Sequence, residues 1–234
     1  MKSSNNPPPI VRMINTSKIF QTANRKVAIL KDINFEARRG ELVVLLGPSG
    51  SGKSTFLTLL AGLQAPSEGE VWLFGRQIQQ YSAKELQKIR AHQIGFVFQT
   101  FHLIDSLNGL ENIQLVMRFV RKTNKDALAK AHQLLQQFDI SYLARAYPKT
   151  MSQGEKQRIA IARALANEAS LIIADEPTGS LSTPQGMYII QLLQQIAKTE
   201  NRCIIVASHD QRIIPYADRV FYLKDGCLST PVFS

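Results

Sequence analysis

Eight consecutive residues, Gly47-Pro48-Ser49-Gly50-Ser51-Gly52-Lys53-Ser54, follow the spacing Gly-x-x-x-x-Gly-Lys-Ser without a gap. Each residue type has a physical use there. Glycines let the backbone turn tightly enough for successive amide N–H groups to face one chain of phosphates. The Lys53 ammonium can then reach the β and γ phosphates, while Ser54, with Thr55 beside it, sits where a hydroxyl can ligate Mg²⁺. A second set of oxygen donors, Asp175-Glu176, ends the apolar run Leu171-Ile172-Ile173-Ala174. Asp175 suits a hard cation held through water, and Glu176 suits orienting or deprotonating an attacking water. Gln99 and His209 each end an apolar run as well, and so bring polar groups to the same rim. Together these spacings describe a nucleoside triphosphate site.

For that site to assemble, strands and helices must alternate. Glu41-Leu42-Val43-Val44-Leu45-Leu46 reads as a buried strand feeding the glycine loop, and residues 54–63 carry Phe56, Leu57, Leu59, Leu60 and Leu63 at helical spacing. A helix N-terminus at the loop adds partial positive charge to the anion site. Further strands are expected at residues 10–15 and 18–20, around Ile33, Phe35 and Ala37, at 70–74, 94–98, 171–176 and 203–207. Ser82-x-x-Glu85 is a capping box opening a helix to about residue 91, Thr183-Pro184 opens another to about 199, and Asp225-Gly226 turns a closing hairpin. Between residues 100 and 167 the signal becomes helical, with Leu110, Ile113, Leu115, Val116 and Phe119 on one amphipathic stretch and Leu128, Ala131, Leu134, Leu135 and Phe138 on the next. The expected fold is α/β: a phosphate-loop NTPase core with a mostly parallel sheet, an N-terminal antiparallel β region and an inserted α-helical subdomain. The core takes residues 10–98 and 168–234, the helical subdomain 99–167, and residues 1–9, rich in Lys, Ser, Asn and Pro, read as a mobile tail.

Composition sets limits. Of 234 residues, 44% are apolar, enough for a full-sized core, yet no uninterrupted apolar run approaches the roughly 18 residues that span a bilayer. Cys203 and Cys227 have neither metal nor disulfide spacing and read as small apolar fillers in a reducing compartment. The net charge of +10 is scattered in ones and twos, which favours an ordinary solvated surface over a nucleic-acid footprint. A GTPase base reader Asn-Lys-x-Asp is absent, because Asn124-Lys125-Asp126-Ala127 fails the spacing.

With these residues in view, the chain resembles the ATP-binding cassette (ABC) ATPases over about residues 11–228. Met151-Ser152-Gln153-Gly154-Glu155-Lys156-Gln157-Arg158 looks like that family's signature, Asp175-Glu176-Pro177-Thr178 like its Walker B extension, Gln99 like the Q-loop, His209 like the switch histidine and Phe20 like the aromatic that stacks on adenine. The resemblance implies ATP and Mg²⁺ as cofactors and a head-to-tail dimer of two copies enclosing two ATP molecules. Lys53, Ser54 and Gln99 would hold nucleotide and metal from one copy; Ser152, Gln153, Gly154 and Glu155 would meet the γ-phosphate from the other, at a helix N-terminus. Glu176 would act as general base, with His209 on the γ-phosphate and water. Gln153 and Ser182 depart from the family's usual glycine and aspartate, though Ser182 or Thr183 remains able to cap the helix begun at Pro184. Phe98-Gln99-Thr100-Phe101-His102-Leu103 and Leu110-Glu111-Asn112-Ile113 resemble the macrolide-exporter and lipoprotein-release group, with the cell-division cassettes as nearest rival. That group implies a peripheral subunit on the cytoplasmic face of the inner membrane, driving a separate integral membrane permease with a large extracytoplasmic domain and binding no nucleic acid. A cassette with a cell-division, nucleic-acid or ribosome-linked role is the alternative.

Overall fold

Alternate residues of the central strands point to two different cores, and that alternation builds the molecule. The computed structural model describes residues 8–22, 25–120 and 123–230, so most of the tail expected over residues 1–9 lies outside the described residues. A six-stranded sheet has the order β10-β9-β3-β8-β7-β6, formed by β3 (Leu42–Leu46), β6 (Ile94–Phe98), β7 (Leu171–Asp175), β8 (Cys203–Ser208), β9 (Arg219–Lys224) and β10 (Cys227–Ser229). Its pairings are parallel except for the β9–β10 hairpin. Leu42, Val44, Leu46, Ile172, Ala174, Ile204 and Val206 face one core, while Val43, Leu45, Leu171, Ile173, Cys203, Ile205 and Ala207 face the other. A strand's period of two does this sorting, and burial on both faces explains why these strands read as continuous apolar runs.

The second core is closed by α1 (Lys53–Leu60) and by an antiparallel sheet of order β2-β1-β4-β5, made of β1 (Val11–Thr22), β2 (Arg25–Ala37), β4 (Glu68–Leu73) and β5 (Arg76–Gln77). Here β1 is one strand, not the two short ones expected. The polar interruption Asn15-Thr16-Ser17 is absorbed by register shifts, with Asn15 at φ 46° and buried Thr16 donating its hydroxyl to the Glu70 carbonyl at 2.7 Å. Helix α1 stops at Leu60, short of the expected residue 63, because Gly62 turns the chain at φ 61°. Cys203 is buried as expected, but Cys227 is exposed on β10.

The first core lies under α3 (Gly109–Arg118), α4 (Asn124–Gln137), α5 (Gln153–Leu165) and α6 (Thr183–Thr199). The capping box of α2 (Ala83–Gln93) is formed by Ser82 and Glu85, and Asn108 with Glu111 makes a second one for α3. Helix α6 begins after Ser182 without a side-chain cap: Ser182 Oγ donates to Gln185 Oε1 at 3.1 Å instead of accepting a backbone amide, and the Thr183 hydroxyl accepts from Arg212. Helix α5 lies hard against β6, since a Cβ on Gly95 would stand 2.2 Å from the Ala164 carbonyl oxygen. Gly95→Ala must push the helix off the strand, and we expect a loss of about 2 kcal/mol of stability, read by urea unfolding. Among the described residues no helix is long and apolar enough to cross a membrane.

Candidate active site

The edge formed by the carboxyl ends of β3, β6, β7 and β8 carries every polar group singled out in the core. Residues 47–54 leave β3 and close onto α1, with Gly50 at φ 78° and Gly52, the residue before the helix, at φ 104°. Those conformations strain a residue that carries a Cβ and favour glycine. Gly47 has a different reason: a Cβ there would lie 2.3 Å from the Leu223 carbonyl of β9. The first-turn amides of α1, at Lys53, Ser54 and Thr55, have no intrahelical carbonyl to bond and face the open end.

Lys53 is only 7% exposed. Its ammonium donates to the carbonyls of Gly47 (2.8 Å) and Pro48 (3.1 Å) and lies 3.3 Å from Glu176 Oε1. Ser54 Oγ donates to Asp175 Oδ2 at 2.9 Å, joining the loop to the end of β7. Ser51 Oγ is buried with no hydrogen-bond partner in the loop's interior. Glu176 stands one residue past β7 at φ 47°, its amide donating to the Ala207 carbonyl at 2.9 Å. Its Oε2 lies 3.0 Å from His209 Nδ1 and accepts the Ser208 hydroxyl at 3.4 Å. The next residue is anchored from α5, where buried Gln157 donates to the Pro177 carbonyl at 2.8 Å. Gln99 is held through its own carbonyl, which accepts from Ser180 Oγ at 2.9 Å, while its side-chain amide covers Gly179.

Phe20, Ser49, Gly50, Gly52, Lys53, Ser54, Thr55, Gln99, Asp175, Glu176 and His209 line one cleft of about 960 Å³. Phe20, 40% exposed, forms its far wall with Val27 and Ile29. Beyond His209, Asp210 grips Arg212 through paired contacts of 2.8–3.1 Å, which hold its carboxyl below the usual carboxylate range, and Arg212 reaches Thr183 at 2.7 Å.

Ser152, Gly154 and Glu155 line another hollow, with Pro184, Gln185 and Tyr188. The Ser152 hydroxyl accepts the Glu155 amide and the Glu155 carboxylate accepts the Ser152 amide, so α5 opens on a capping box. Bonds from the Ser152 amide and the Tyr142 hydroxyl hold the Glu155 carboxyl below its usual range. One Glu155 oxygen thus closes the helix start, and the other accepts the Tyr142 hydroxyl. Gln153 sits at the first turn beside Gly154, whose Cβ direction meets the Gln185 side chain at 3.3 Å. One chain therefore brings Lys53 and Glu176 together but not Ser152.

Three polar residues that sequence patterning did not single out for a structural part prove to be buried: Gln157, Arg163 and Asn112. Asn112 bonds the Ile104, Leu107 and Asn108 backbone. Their one trace in the sequence is a polar residue on an otherwise apolar helical face.

The oxygen donors Ser54 and Asp175, already hydrogen-bonded to each other, fit a hard cation. No group of three or more His, Cys, Asp or Glu side chains among the described residues could hold a metal ion by itself.

Residues 30–179 match the family model described as ABC transporter. HrtA of Staphylococcus haemolyticus, named for hemin import, is 38% identical over 92% of this chain and 97% of its own. LolD of Buchnera aphidicola, the ATP-binding protein of a lipoprotein-releasing system, is 36% identical over 93% and 95%. MacB of a Shewanella species (strain ANA-3), a macrolide export ATP-binding/permease protein, is 35% identical over 94% of this chain but 33% of its own. A dimeric structure of the ATP-binding cassette MJ0796 from Methanocaldococcus jannaschii, in a post-hydrolysis state with ADP and Pi, superposes with a TM-score of 0.85 at 36% identity, covering 94% of this chain and 98% of the other. The cleft and these likenesses lead to one conclusion: the chain belongs to the ABC transporter family, as its ATP-binding, ATP-hydrolysing subunit.

Proposed function

We propose that two copies of this chain close head to tail, so that the Ser152 end of α5 in one copy completes the Lys53 cleft of the other. The observation carrying this reading is that Ser152 and Lys53 line separate hollows of one chain, although both offer a helix N-terminus to an anion. In this reading Lys53 and the loop amides bind the β and γ phosphates, and Phe20 packs on the adenine. Mg²⁺, held by Ser54, Gln99 and, through water, Asp175, would neutralise phosphate charge as it develops. Glu176 takes the proton of the attacking water, and His209, 3.0 Å from Glu176, keeps that water and the γ-phosphate in line. Gln153 lines the contact between copies, leaving Gly154 to make the close approach. Residues 99–167 serve as the arm between the cleft and a membrane subunit.

An apolar groove of about 400 Å³ beside β6, lined by Ile104, Leu115, Val116 and Phe119, supplies the docking surface for that subunit; Phe119 is 71% exposed. The permease is proposed to carry a large extracytoplasmic domain and to export by transmitted motion, in keeping with the names of MacB and LolD; HrtA's name points the other way. In this reading the subunit works at the cytoplasmic face of the inner membrane. Detergent extraction and affinity purification of the tagged chain should bring down a multi-span membrane protein in fixed ratio. Recovery of RNA or DNA with no such protein would overturn the transport role.

A further inference from the structure

Arg163, near the end of α5, is 9% exposed and makes no ion pair with a carboxylate among the described residues. A buried guanidinium without a counter-charge persists only where its donors are well used. Here they are spent on backbone. One Nη donates to the Phe101 carbonyl at 2.7 Å and the other to the His102 carbonyl. Those two acceptors belong to successive non-glycine residues in the left-handed region, Phe101 at φ 62° and His102 at φ 48°. Such a pair is held only when its surroundings over-determine it. The fork geometry of the guanidinium explains the choice of residue, since two parallel N–H donors match two adjacent oxygens.

The pair so held begins two residues after Gln99. The Phe98 and His102 rings, which flank Gln99 and the turn, stack with centroids 4.4 Å apart, and both residues line the nucleotide cleft and the apolar groove together. On its other side Gln99 is tied by Ser180, from the segment after Glu176. Gln99 is thus fixed from two directions, one of them α5, whose opposite end carries Ser152.

We propose that Arg163 is a positioning residue for Gln99: by clamping the two carbonyls of the Phe101–His102 turn it sets where β6 delivers the Gln99 amide in the cleft. The inference rests on the reading of Gln99 as part of the nucleotide and metal site. It is distinct from that reading in assigning the control to a side chain that touches neither nucleotide nor metal.

A double-mutant cycle on the full chain separates this from simple packing. Arg163→Met should lower kcat about 10-fold or more, because a displacement near 1 Å at a positioned group costs up to ~100-fold, while KM for ATP moves less than about 3-fold by the same reasoning. Arg163→Lys, with one compact donor group for two acceptors, should fall between wild type and Met. In a Gln99→Ala background the same Arg163 substitutions should change kcat less than about 2-fold, as coupled residues do. Equal losses in both backgrounds, or an unimpaired Arg163→Met chain, would overturn the inference and leave Gln99's own role standing. A Gln99→Ala chain as fast as wild type would overturn the Gln99 assignment itself, and this inference with it. Should Arg163→Met melt before assay, Arg163→Lys carries the cycle alone.

Discussion

Glu176→Gln should bind ATP as tightly as the wild type and turn it over at least about 100-fold more slowly, the usual share of a positioned general base. The substitution keeps shape and hydrogen bonding: the amide can still meet the Ser208 hydroxyl and His209 Nδ1, which lie 3.4 and 3.0 Å from the carboxylate. What disappears is the capacity to take a proton from water. The strand end that carries residue 176 is secured independently, by its amide on Ala207 and by Gln157 on Pro177, so the fold should be untouched. With hydrolysis stopped and binding intact, ATP should hold two copies together, and the protein should run at twice its mass in size-exclusion chromatography. An unchanged hydrolysis rate would remove Glu176 from the proposed role of base. A persistent monomer with ATP would remove the proposed closure of two copies.

Lys53→Ala should produce the opposite split, a loss of binding ahead of any effect on chemistry. An ammonium hydrogen-bonded to phosphate is worth about 1.5–3 kcal/mol, so the dissociation constant for ATP should rise roughly 10- to 100-fold. The change is felt beyond the phosphates, because this ammonium also holds the carbonyls of Gly47 and Pro48, at the first turn of the loop. Equilibrium dialysis with labelled ATP reads the effect directly; an unaltered dissociation constant would show that the loop amides alone hold the nucleotide.

Much of the fold and of the proposed site was legible because its chemistry is local in sequence. The glycine loop, the Asp175-Glu176 pair and the box at Ser152 and Glu155 are contiguous or nearly so. Buried parallel strands announce themselves as short apolar runs, and β6 and α6 have the expected limits. What was not legible depends on partners far along the chain. Thr16 reads as a break in a strand, yet its hydroxyl is paired with Glu70, 54 residues away, and the strand continues through the bulge. Arg163 carries no mark in the sequence, because Phe101 and His102, whose carbonyls it binds, lie 62 and 61 residues earlier. Ser182 has the right type and place for a helix cap, but its hydroxyl donates to Gln185 Oε1 and accepts no backbone amide. In each case a partner distant in the chain or a turned hydroxyl, not spacing, decides how the side chain is spent.

The contact between Lys53 Nζ and Glu176 Oε1, 3.3 Å apart in a cleft that exposes little of either, has a consequence of its own. It ties together two groups to which the proposed reaction gives separate tasks. The ammonium is shared among Glu176 and the Gly47 and Pro48 carbonyls, so any polyphosphate must compete with the protein's own oxygens for it. In the proposed reaction a polyphosphate, bearing more negative charge than one carboxylate, would draw the lysine toward itself and release Glu176 from its ion pair. On that reading, the arrival of fuel and the freeing of the carboxylate are a single event.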